Sequence, residues 1–332
     1  MSILDLVGNT PIVEVKHLDT GLCRLFLKLE LQNPGGSIKD RIALSMIDDA
    51  EKRGVLKPGG TIVEATAGNT GLGLALVAIP KGYKVVLVIP DKFSQEKVNH
   101  LKALGVEVVP TRSDVVKGHP DYYLDLAESI AGRIHNGWFA NQSANPANAR
   151  AHEFTTGPEL FKQMEGRVDA VVVGVGSGGT LGGLTKFFLK QSPNTEMVIA
   201  DPEGSIIAPY VRTGEIPLEV GSWLVEGIGE DFIPQNADFS LVKKAYSISD
   251  RESFLSAREL LSTNGIMAGS SSGTFLAAAL RYCREQTSPK QVVTFVGDSG
   301  TKYLSKMYND NWMTENGFMN QNDTEQPSTI AA

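Results

Sequence analysis

The sequence contains few of the features that mark a secreted, membrane-bound or zinc-binding protein. It has only two cysteines, Cys23 and Cys283, which lie far apart and form no CxxC pair, so neither a disulfide framework nor a zinc site is indicated. No apolar run reaches the length of about 18 residues that a membrane-spanning helix needs. The opening residues, MSILDLVGNTP, lack the charged and apolar regions of a signal peptide. These absences predict a cytoplasmic protein without a membrane partner.

The chain has fewer basic than acidic residues. The chain carries 31 Lys and Arg against 38 Asp and Glu, a formal net charge of −7, which argues against nucleic acid as a partner. The five histidines show no metal-ligand spacing, and we predict no metal site. The chain does have length and apolar content: 332 residues with 42% hydrophobic side chains are enough for two lobes with buried cores.

Short, continuously apolar strands alternate with helical patterns along most of the chain. Such strands are typical of parallel sheets that helices cover on both faces, so the alternation predicts an α/β fold. Two early strands, PIVEV and CRLFLKLE, are not assigned to a lobe by this pattern. The polar end of the chain, residues 314–332, is predicted to be disordered. The six clearest strands are TIVEA, KVVLVIP, EVVPT, DAVVVGVG, EMVIAD and QVVTFVGD.

A cluster of glycines follows the strand DAVVV. Residues 176–180, GSGGT, lead directly into a helix, where converging backbone N–H groups and the helix dipole favour an anion such as phosphate. One alternative is tight strand–helix packing that needs only small residues. Another is a dinucleotide site, because Gly174, Gly176 and Gly179 also match GxGxxG and Asp201 ends the next strand.

The segment NPGGSIKDR places a lysine in the first turn of a predicted helix. Ser37 and Asp40 match a capping box, which puts Lys39 at the second helical position. A cation at that position opposes the helix dipole. Lys39 is therefore either a solvated lysine that tolerates this penalty or an amine of lowered pKa that acts as a nucleophile.

Two more loops precede helices. TAGNTG, residues 66–71, offers donors that suit a small carboxylate, or else a plain helix cap. The serines 270–272 are caps, or one of them is a hydroxyl that faces a pyridine nitrogen. An amine, a phosphate cup and a carboxylate cup together fit pyridoxal 5′-phosphate (PLP) held as a Schiff base, with an amino acid as substrate. A hydroxyl leaves the pyridine nitrogen largely unprotonated, which favours elimination and replacement at Cβ over transamination.

Seven motifs between residues 3 and 313 resemble, in order, those of the fold-type II PLP enzymes of the cysteine synthase and cystathionine β-synthase family. The resemblance implies two doubly wound α/β lobes with the cofactor in the cleft between them, in a homodimer. The smaller lobe would span residues 36–140, with a mobile part at about 85–130, and the larger lobe residues 1–35 and 141–313. The motifs are GNTP, NPGGSIKDR, TAGNTG, NPANARAHEFTTGPEL, GVGSGGT, EGIGEDFIP and GSSSG.

The resemblance also implies roles for individual residues. Lys39 would bind the cofactor aldehyde and later move the Cα proton of the substrate. Asn69 would hydrogen-bond the cofactor's 3′-oxygen, Ser271 would face the pyridine nitrogen, and Gly227 would line the cleft. The phosphate would bind to Gly176, Ser177, Gly178, Gly179 and Thr180. The substrate carboxylate would bind to Thr66, Ala67, Gly68, Asn69, Thr70 and Gln142.

Within the family, ADPEGSI, EGIGEDFIP and GTKYLSKMYNDNWM resemble the cystathionine β-synthase branch, as a catalytic core without regulatory or haem-binding extensions. That branch implies β-replacement of serine by homocysteine, with cysteine as a further donor that releases hydrogen sulfide. Cysteine synthesis from O-acetylserine and sulfide is the second interpretation. Two further interpretations come from other functional classes: a nucleotide-dependent dehydrogenase and a non-catalytic binding protein. Ala67, Ser143 and Glu230 depart from the family's usual serine, aromatic residue and tyrosine, and these departures concern the second substrate.

Overall fold

A computed structural model of the chain shows two sheets of mainly parallel strands, each packed against helices. The structure describes residues 1–66, 68–91, 95–112, 114–115 and 118–320. The predicted α/β class with two parallel-sheet lobes is confirmed. Within the described residues the strands are β1 Ile12–Glu14, β2 Arg24–Leu29, β3 Thr61–Ala65, β4 Lys84–Pro90, β5 Glu107–Thr111, β6 Gly137–Phe139, β7 Ala170–Val173, β8 Glu196–Pro202, β9 Val242–Ile248 and β10 Gln291–Val296. The α-helices are α1 Lys39–Lys52, α2 Asn69–Lys81, α3 Gln95–Ala103, α4 Tyr123–Arg133, α5 Pro146–Ala151, α6 Gly157–Gln163, α7 Gly179–Gln191, α8 Ile207–Thr213, α9 Asp250–Asn264, α10 Ser270–Arg284 and α11 Asp310–Glu315.

The larger sheet has the strand order β1-β2-β10-β7-β8-β9, and in it only β1 is antiparallel to its neighbour. Its central strands are apolar at successive positions because helices cover both faces. Val171 and Val172 in β7 and Val292 and Val293 in β10 have no exposed surface. The carboxyl ends of β7 and β10 lead into the glycine loop and into the segment that begins at Gly297.

The smaller sheet has the order β5-β4-β3-β6, and α1 and α2 belong to its apolar cluster. Gly73 in α2 faces the first turn of α1, where a Cβ would lie 3.0 Å from the backbone oxygen of Lys39. This close approach brings the beginnings of the two helices together. Lys39, the first residue of α1, and Asn69, the first residue of α2, therefore lie at the same end of the lobe.

Two strands and the beginning of the tail differ from the sequence prediction. β6 is only three residues long, and β9 exposes Lys243 and Lys244 at a sheet edge, so neither shows a continuous apolar run. Residues 314 and 315 complete α11, and Phe318 packs with its ring centroid 5.1 Å from that of Phe254. The ordered chain thus extends beyond residue 314, and the rest of the predicted tail, residues 321–332, lies outside the described residues.

The predicted lobe boundaries remain a prediction. All four strands of the smaller sheet fall within residues 36–140. α5 lies beyond that range, yet its Ala147 and Ala151 pack in the apolar cluster of the smaller lobe. The predicted mobile part, about 85–130, includes residues 92–94, 113, 116 and 117, which lie outside the described residues. No helix among the described residues is long and apolar enough to cross a bilayer.

Candidate active site

One pocket between the two lobes is lined by every residue that the sequence analysis assigns to the cofactor. It lies where the beginnings of α1, α2, α7 and α10 meet the segments that follow β7 and β10. The sequence motifs are far apart along the chain, and the two parallel sheets bring them to the same cleft. The predicted residues in its walls are Lys39, Asn69, Gly176, Ser177, Gly178, Gly179, Thr180, Gly227 and Ser271.

Lys39 lies in this pocket as the first residue of α1. Burial lowers the pKa of its amine, while the carboxylates of Asp298 and Glu230 act in the opposite direction. Within the described part of the chain, no hydrogen bond holds its Nζ. A buried amine of lowered pKa has the character of a nucleophile or a base, rather than that of a solvated surface lysine.

The capping box predicted before Lys39 does not form. Ser37 Oγ accepts a hydrogen bond from the Lys39 backbone N–H at 3.2 Å, but Asp40 Oδ2 accepts from Gly35 N at 2.5 Å instead of from Ser37. The reason is that residues 33–36 fold back over the helix start. A Cβ at Gly35 would lie 2.5 Å from Asp40 Oδ1, so a side chain at this position would displace the Asp40 carboxylate.

Backbone pairing holds the lysine segment against the larger lobe. Ile38 N donates to Gly297 O at 2.9 Å, and Ser299 N donates to Gly36 O at 3.2 Å. The position of Lys39 relative to the end of β10 is therefore set by main-chain hydrogen bonds.

The glycine loop after β7 lies too close to neighbouring segments for side chains at two of its positions. A Cβ at Gly176 would lie 2.6 Å from Gly227 O, and a Cβ at Gly179 would overlap Asn148 Oδ1. Gly178 has φ of +77°, a conformation that favours glycine, and is followed by the 13-residue helix α7. Backbone N–H groups at such a helix start bind anions. The residues present therefore fit the phosphate of PLP.

Asp201 does not act as the acidic residue of a dinucleotide site. Its carboxylate has no exposed surface, and its Oδ2 accepts a hydrogen bond from Ala208 N at 2.8 Å at the start of α8. An acidic residue that binds a ribose must face the cleft. The loop matches GxGxxG, but the acidic residue that would bind the ribose of a dinucleotide does not face the cleft.

Gln142 is fixed on three sides beside the start of α2. Its backbone N–H donates to Glu64 Oε2 at 3.0 Å, and its side-chain Oε1 accepts from Thr70 Oγ1 at 2.6 Å. Its backbone oxygen accepts from the amides of Asn148, at 2.7 Å, and Asn236, at 2.8 Å. With Oε1 engaged, Nε2 is the group of Gln142 that remains to donate to an anion.

The other residues predicted to bind the substrate carboxylate belong to the same loop. Gly68 N donates to Thr66 Oγ1 at 3.1 Å, and Asn69 and Thr70 form the first turn of α2. Ala67 lies outside the described residues. Thr70 bonds to Gln142, as a shared carboxylate site requires, and the roles of these residues remain a prediction.

The three serines at the start of α10 have different surroundings. Ser270 Oγ accepts from Glu226 N at 3.0 Å, and Ser272 Oγ accepts from Gly297 N at 3.0 Å. Ser271 is the one of the three that lines the pocket. Two of the serines therefore stabilise neighbouring segments, and the third is placed where a hydroxyl can face the cofactor.

Sequence analysis missed several polar residues of the site. Asp298 lies in the pocket wall and is 1% exposed, and its Oδ2 accepts hydrogen bonds from Asn69 Nδ2 at 2.8 Å and from the Tyr303 hydroxyl at 2.9 Å. Its position just after a buried parallel strand is a signal that could have found it. Asn148, which donates to Ser177 Oγ at 2.8 Å, gives no comparable signal.

Comparison with known protein families identifies the family of this chain. A family model described as pyridoxal-phosphate dependent enzyme matches residues 3–298. The chain belongs to this pyridoxal-phosphate-dependent enzyme family. PLP is therefore its cofactor, as the sequence predicts. The described residues contain no group of three or more His, Cys, Asp or Glu side chains that could hold a metal ion.

Individual relatives agree with this assignment. The chain is 39% identical over 320 residues to a cystathionine beta-synthase from Apis mellifera, covering 96% of this chain and 63% of that one. It thus spans less than two thirds of the length of that relative. A hydrogen sulfide-producing enzyme from Fusobacterium nucleatum has a TM-score of 0.84 at 35% identity, covering 91% of this chain and 99% of that one. An O-acetylserine dependent cystathionine beta-synthase from Helicobacter pylori has a TM-score of 0.82 at 35% identity, covering 92% and 97%.

The tight contact at Gly179 gives a first testable prediction. Gly179→Ala should push Asn148 away from Ser177 and Gln142, because the new Cβ would overlap its Oδ1. We expect PLP affinity to fall roughly tenfold or more, as for the loss of a well-placed hydrogen bond. Fluorescence titration of the apoprotein with PLP measures it. Gly132→Ala is the matched control: no atom lies within 4 Å of its Cβ, so affinity should not change, and equal losses in both variants would contradict this account of the loop.

Proposed function

We propose that this protein catalyses β-replacement at an amino acid, with serine and homocysteine giving cystathionine. The observation that carries the proposal is that the buried amine of Lys39, the glycine cradle of residues 176–180 and Asn69 line one pocket. Thr70, the residue after Asn69, bonds to Gln142 beside this pocket wall. When bound, PLP would supply an electron sink for the carbanion formed at Cα. The site residues supply the binding, the proton transfer and the orientation.

Lys39 is the proposed base at Cα. Burial lowers its pKa and so increases the neutral form of the amine, which proton abstraction requires. Once protonated, the same group is placed to donate a proton to a departing hydroxyl group of serine. The start of α2 and Gln142 would hold the substrate carboxylate, so that the Cα proton is presented to Nζ.

The identities of the donor and the thiol are supported by the named relatives. The Apis mellifera relative, a cystathionine beta-synthase, supports cystathionine as the product, and the Fusobacterium nucleatum enzyme, described as hydrogen sulfide-producing, supports the release of hydrogen sulfide. The Helicobacter pylori enzyme favours a second candidate, in which O-acetylserine replaces serine as the donor. An acetate leaving group would need no proton from Lys39.

Product analysis separates these reactions. The purified holoenzyme is offered serine, O-acetylserine or cysteine, each with homocysteine or with sulfide, and the products are identified by mass spectrometry. Cystathionine from serine is the expected main product. If cystathionine forms from O-acetylserine and homocysteine but not from serine and homocysteine, the second candidate is supported. Formation of cysteine from O-acetylserine and sulfide would support a cysteine synthase. Absence of product from every pair would contradict the proposal.

Glu230 is the residue that we propose to select the second substrate. Burial and the neighbouring carboxylate of Asp231 raise the pKa of its side chain to about 8, although the ammonium group of Lys39 acts in the opposite direction. Tyr122 and Tyr123, from the smaller lobe, lie within electrostatic range of Glu230 and Asp231. A carboxylate in such a site attracts the ammonium group of an amino-acid thiol, and sulfide has no such group.

This proposal predicts a pH effect. Because the pKa of Glu230 is raised to about 8, its carboxylate forms as the pH rises through that value, and the KM for homocysteine should fall over the same range. In Glu230→Gln we expect this fall to disappear and the KM above pH 8 to rise roughly tenfold, as for a lost charge-assisted hydrogen bond. The KM for sulfide should not change on the Glu230→Gln substitution. The exposed Glu219→Gln is the control, and identical pH profiles for wild type and Glu230→Gln would exclude the role.

The assembly, compartment and motion are further parts of the proposal. We propose a cytoplasmic homodimer, as the family resemblance implies. Large exposed apolar side chains, such as Phe154, 67% exposed, are available for a subunit contact. The part of the smaller lobe at about 85–130 is proposed to close over the cleft when the substrate carboxylate binds, which would protect the reacting groups from water.

A further inference from the structure

The side chain of Asn69 is held at both ends by charged groups. Its Oδ1 accepts a hydrogen bond from Lys302 Nζ at 2.6 Å, and its Nδ2 donates to Asp298 Oδ2 at 2.8 Å. A lysine ammonium group can only donate, and an ionised carboxylate can only accept. The two neighbours therefore determine which end of the amide is oxygen and which is nitrogen. One N–H of Nδ2 bonds to Asp298, and the other is left for the pocket that Asn69 lines.

Lys302 is itself held by three acceptors. Its Nζ donates to Asn69 Oδ1 and, in addition, to Gly35 O at 3.3 Å and to Gly36 O at 3.2 Å. An ammonium group has three N–H bonds, so this geometry uses all of them. Gly35 and Gly36 belong to the turn that precedes Lys39. The single cation thus connects the start of α2 with the turn that leads into α1.

Burial and neighbouring carboxylates have opposite effects on the charge of Lys302. Burial lowers the pKa of its amine, and the carboxylates of Asp298 and Asp40 act in the opposite direction. Each of the three oxygens that surround Nζ accepts a hydrogen bond more strongly from a cation than from a neutral donor. Removing the side chain would leave Asn69 Oδ1 without this partner, and Asp298 would be the one remaining charged group that orients the amide.

We propose that Lys302 is a positioning residue for the cofactor, which fixes the Asn69 amide so that an N–H, rather than the oxygen, faces the 3′-oxygen of PLP. The inference rests on the proposed role of Asn69 as a donor to that oxygen. Lys302 lines no part of the pocket among the described residues, so it acts through Asn69 and not by its own contact. If the amide were reversed, two oxygens would face each other and the cofactor would bind less well.

A double-mutant cycle tests this indirect action. PLP affinity is measured by fluorescence titration of four apoproteins: wild type, Lys302→Met, Asn69→Ala and the double variant. We expect Lys302→Met to weaken PLP binding roughly tenfold in the wild-type background, the value of one hydrogen bond, and to have almost no further effect in the Asn69→Ala background. Lys302→Arg, which keeps the charge and the donors, should restore most of the affinity. Lys243→Met removes an exposed lysine of β9 and should leave affinity unchanged.

The outcomes are distinguishable. Equal losses from Lys302→Met in both backgrounds would overturn the inference, because Lys302 would then act through the Gly35–Gly36 turn alone. No loss in the wild-type background would overturn it as well. Failure of the wild-type apoprotein to bind PLP would instead overturn the proposed function together with this inference. Circular dichroism of each apoprotein verifies folding, and if Lys302→Met does not fold, the comparison is made with Lys302→Gln.

Discussion

Replacing Lys39 with alanine is expected to abolish turnover and the covalent attachment of PLP. The amine lies in the pocket, has a lowered pKa and is the only lysine among the described residues that line it. Loss of a positioned base costs about 10²–10⁴-fold in rate, and here the same residue is also the proposed nucleophile for the cofactor aldehyde. Product formation is measured by mass spectrometry, and covalent attachment by borohydride reduction followed by peptide mapping.

The glycine cradle does not depend on Lys39, so Lys39→Ala should still bind PLP reversibly. Lys52→Ala, at the exposed far end of the same helix, is the control and should keep both turnover and covalent attachment. Addition of a small primary amine should partly restore turnover in Lys39→Ala, because the amine can accept the Cα proton in the vacated space. Unchanged turnover in Lys39→Ala would exclude Lys39 as the catalytic base. If the wild-type protein is inactive and Lys39→Ala folds and binds PLP as the wild type does, the protein would be a non-catalytic binding protein.

The parts of the site that sequence analysis predicted share a simple physical origin. The loops at residues 66–71 and 176–180 and the lysine turn are each contiguous in sequence, and each connects a strand or turn to a helix start. Parallel sheets bring the carboxyl ends of their strands to one edge, so separate loops converge without any long-range signal in the sequence. The class of fold was predictable as well, because continuous apolar strands indicate a parallel sheet that helices cover on both faces.

The parts that were not predicted depend on contacts between distant segments. The predicted capping box failed because the NPGG turn folds back and Gly35 N takes the carboxylate of Asp40. Lys302 contacts Asn69 over a separation of 233 residues, and nothing in the local sequence around either residue indicates that pairing. Local patterns therefore predict where a loop points, whereas the hydrogen bonds that orient its side chains require the folded structure.

Beneath the lysine turn lies a buried cluster of charges that sets the position of α1. The Arg41 guanidinium donates to both oxygens of Glu30, at 2.7 and 2.9 Å, and to both oxygens of Glu159, at 2.8 and 2.7 Å. The side chains of Arg41 and Glu30 are 1% and 0% exposed. Lys28 completes the cluster with a 2.9 Å contact to Glu159, so two cations face two carboxylates. Breaking one member leaves a buried charge without a partner.

Arg41→Met is therefore expected to destabilise the protein by about 3–5 kcal/mol, the usual cost of removing one partner of a buried ion pair. Arg53→Met, on the same helix, removes a surface pair with Asp49 and should cost only about 0–1 kcal/mol. Burial would raise the pKa of Glu159, but the hydrogen bonds and charge of Arg41, together with hydrogen bonds from Lys28 and the Asn9 backbone, outweigh it and lower the pKa to about 2. That carboxylate therefore stabilises the fold above its unfolded pKa of about 4.5, and the contribution is lost as the pH falls toward 2. Urea unfolding at pH 7 and at pH 3 should show a larger acid-induced loss in wild type than in Arg41→Met, and equal stabilities of Arg41→Met and Arg53→Met at pH 7 would contradict a structural role for the cluster.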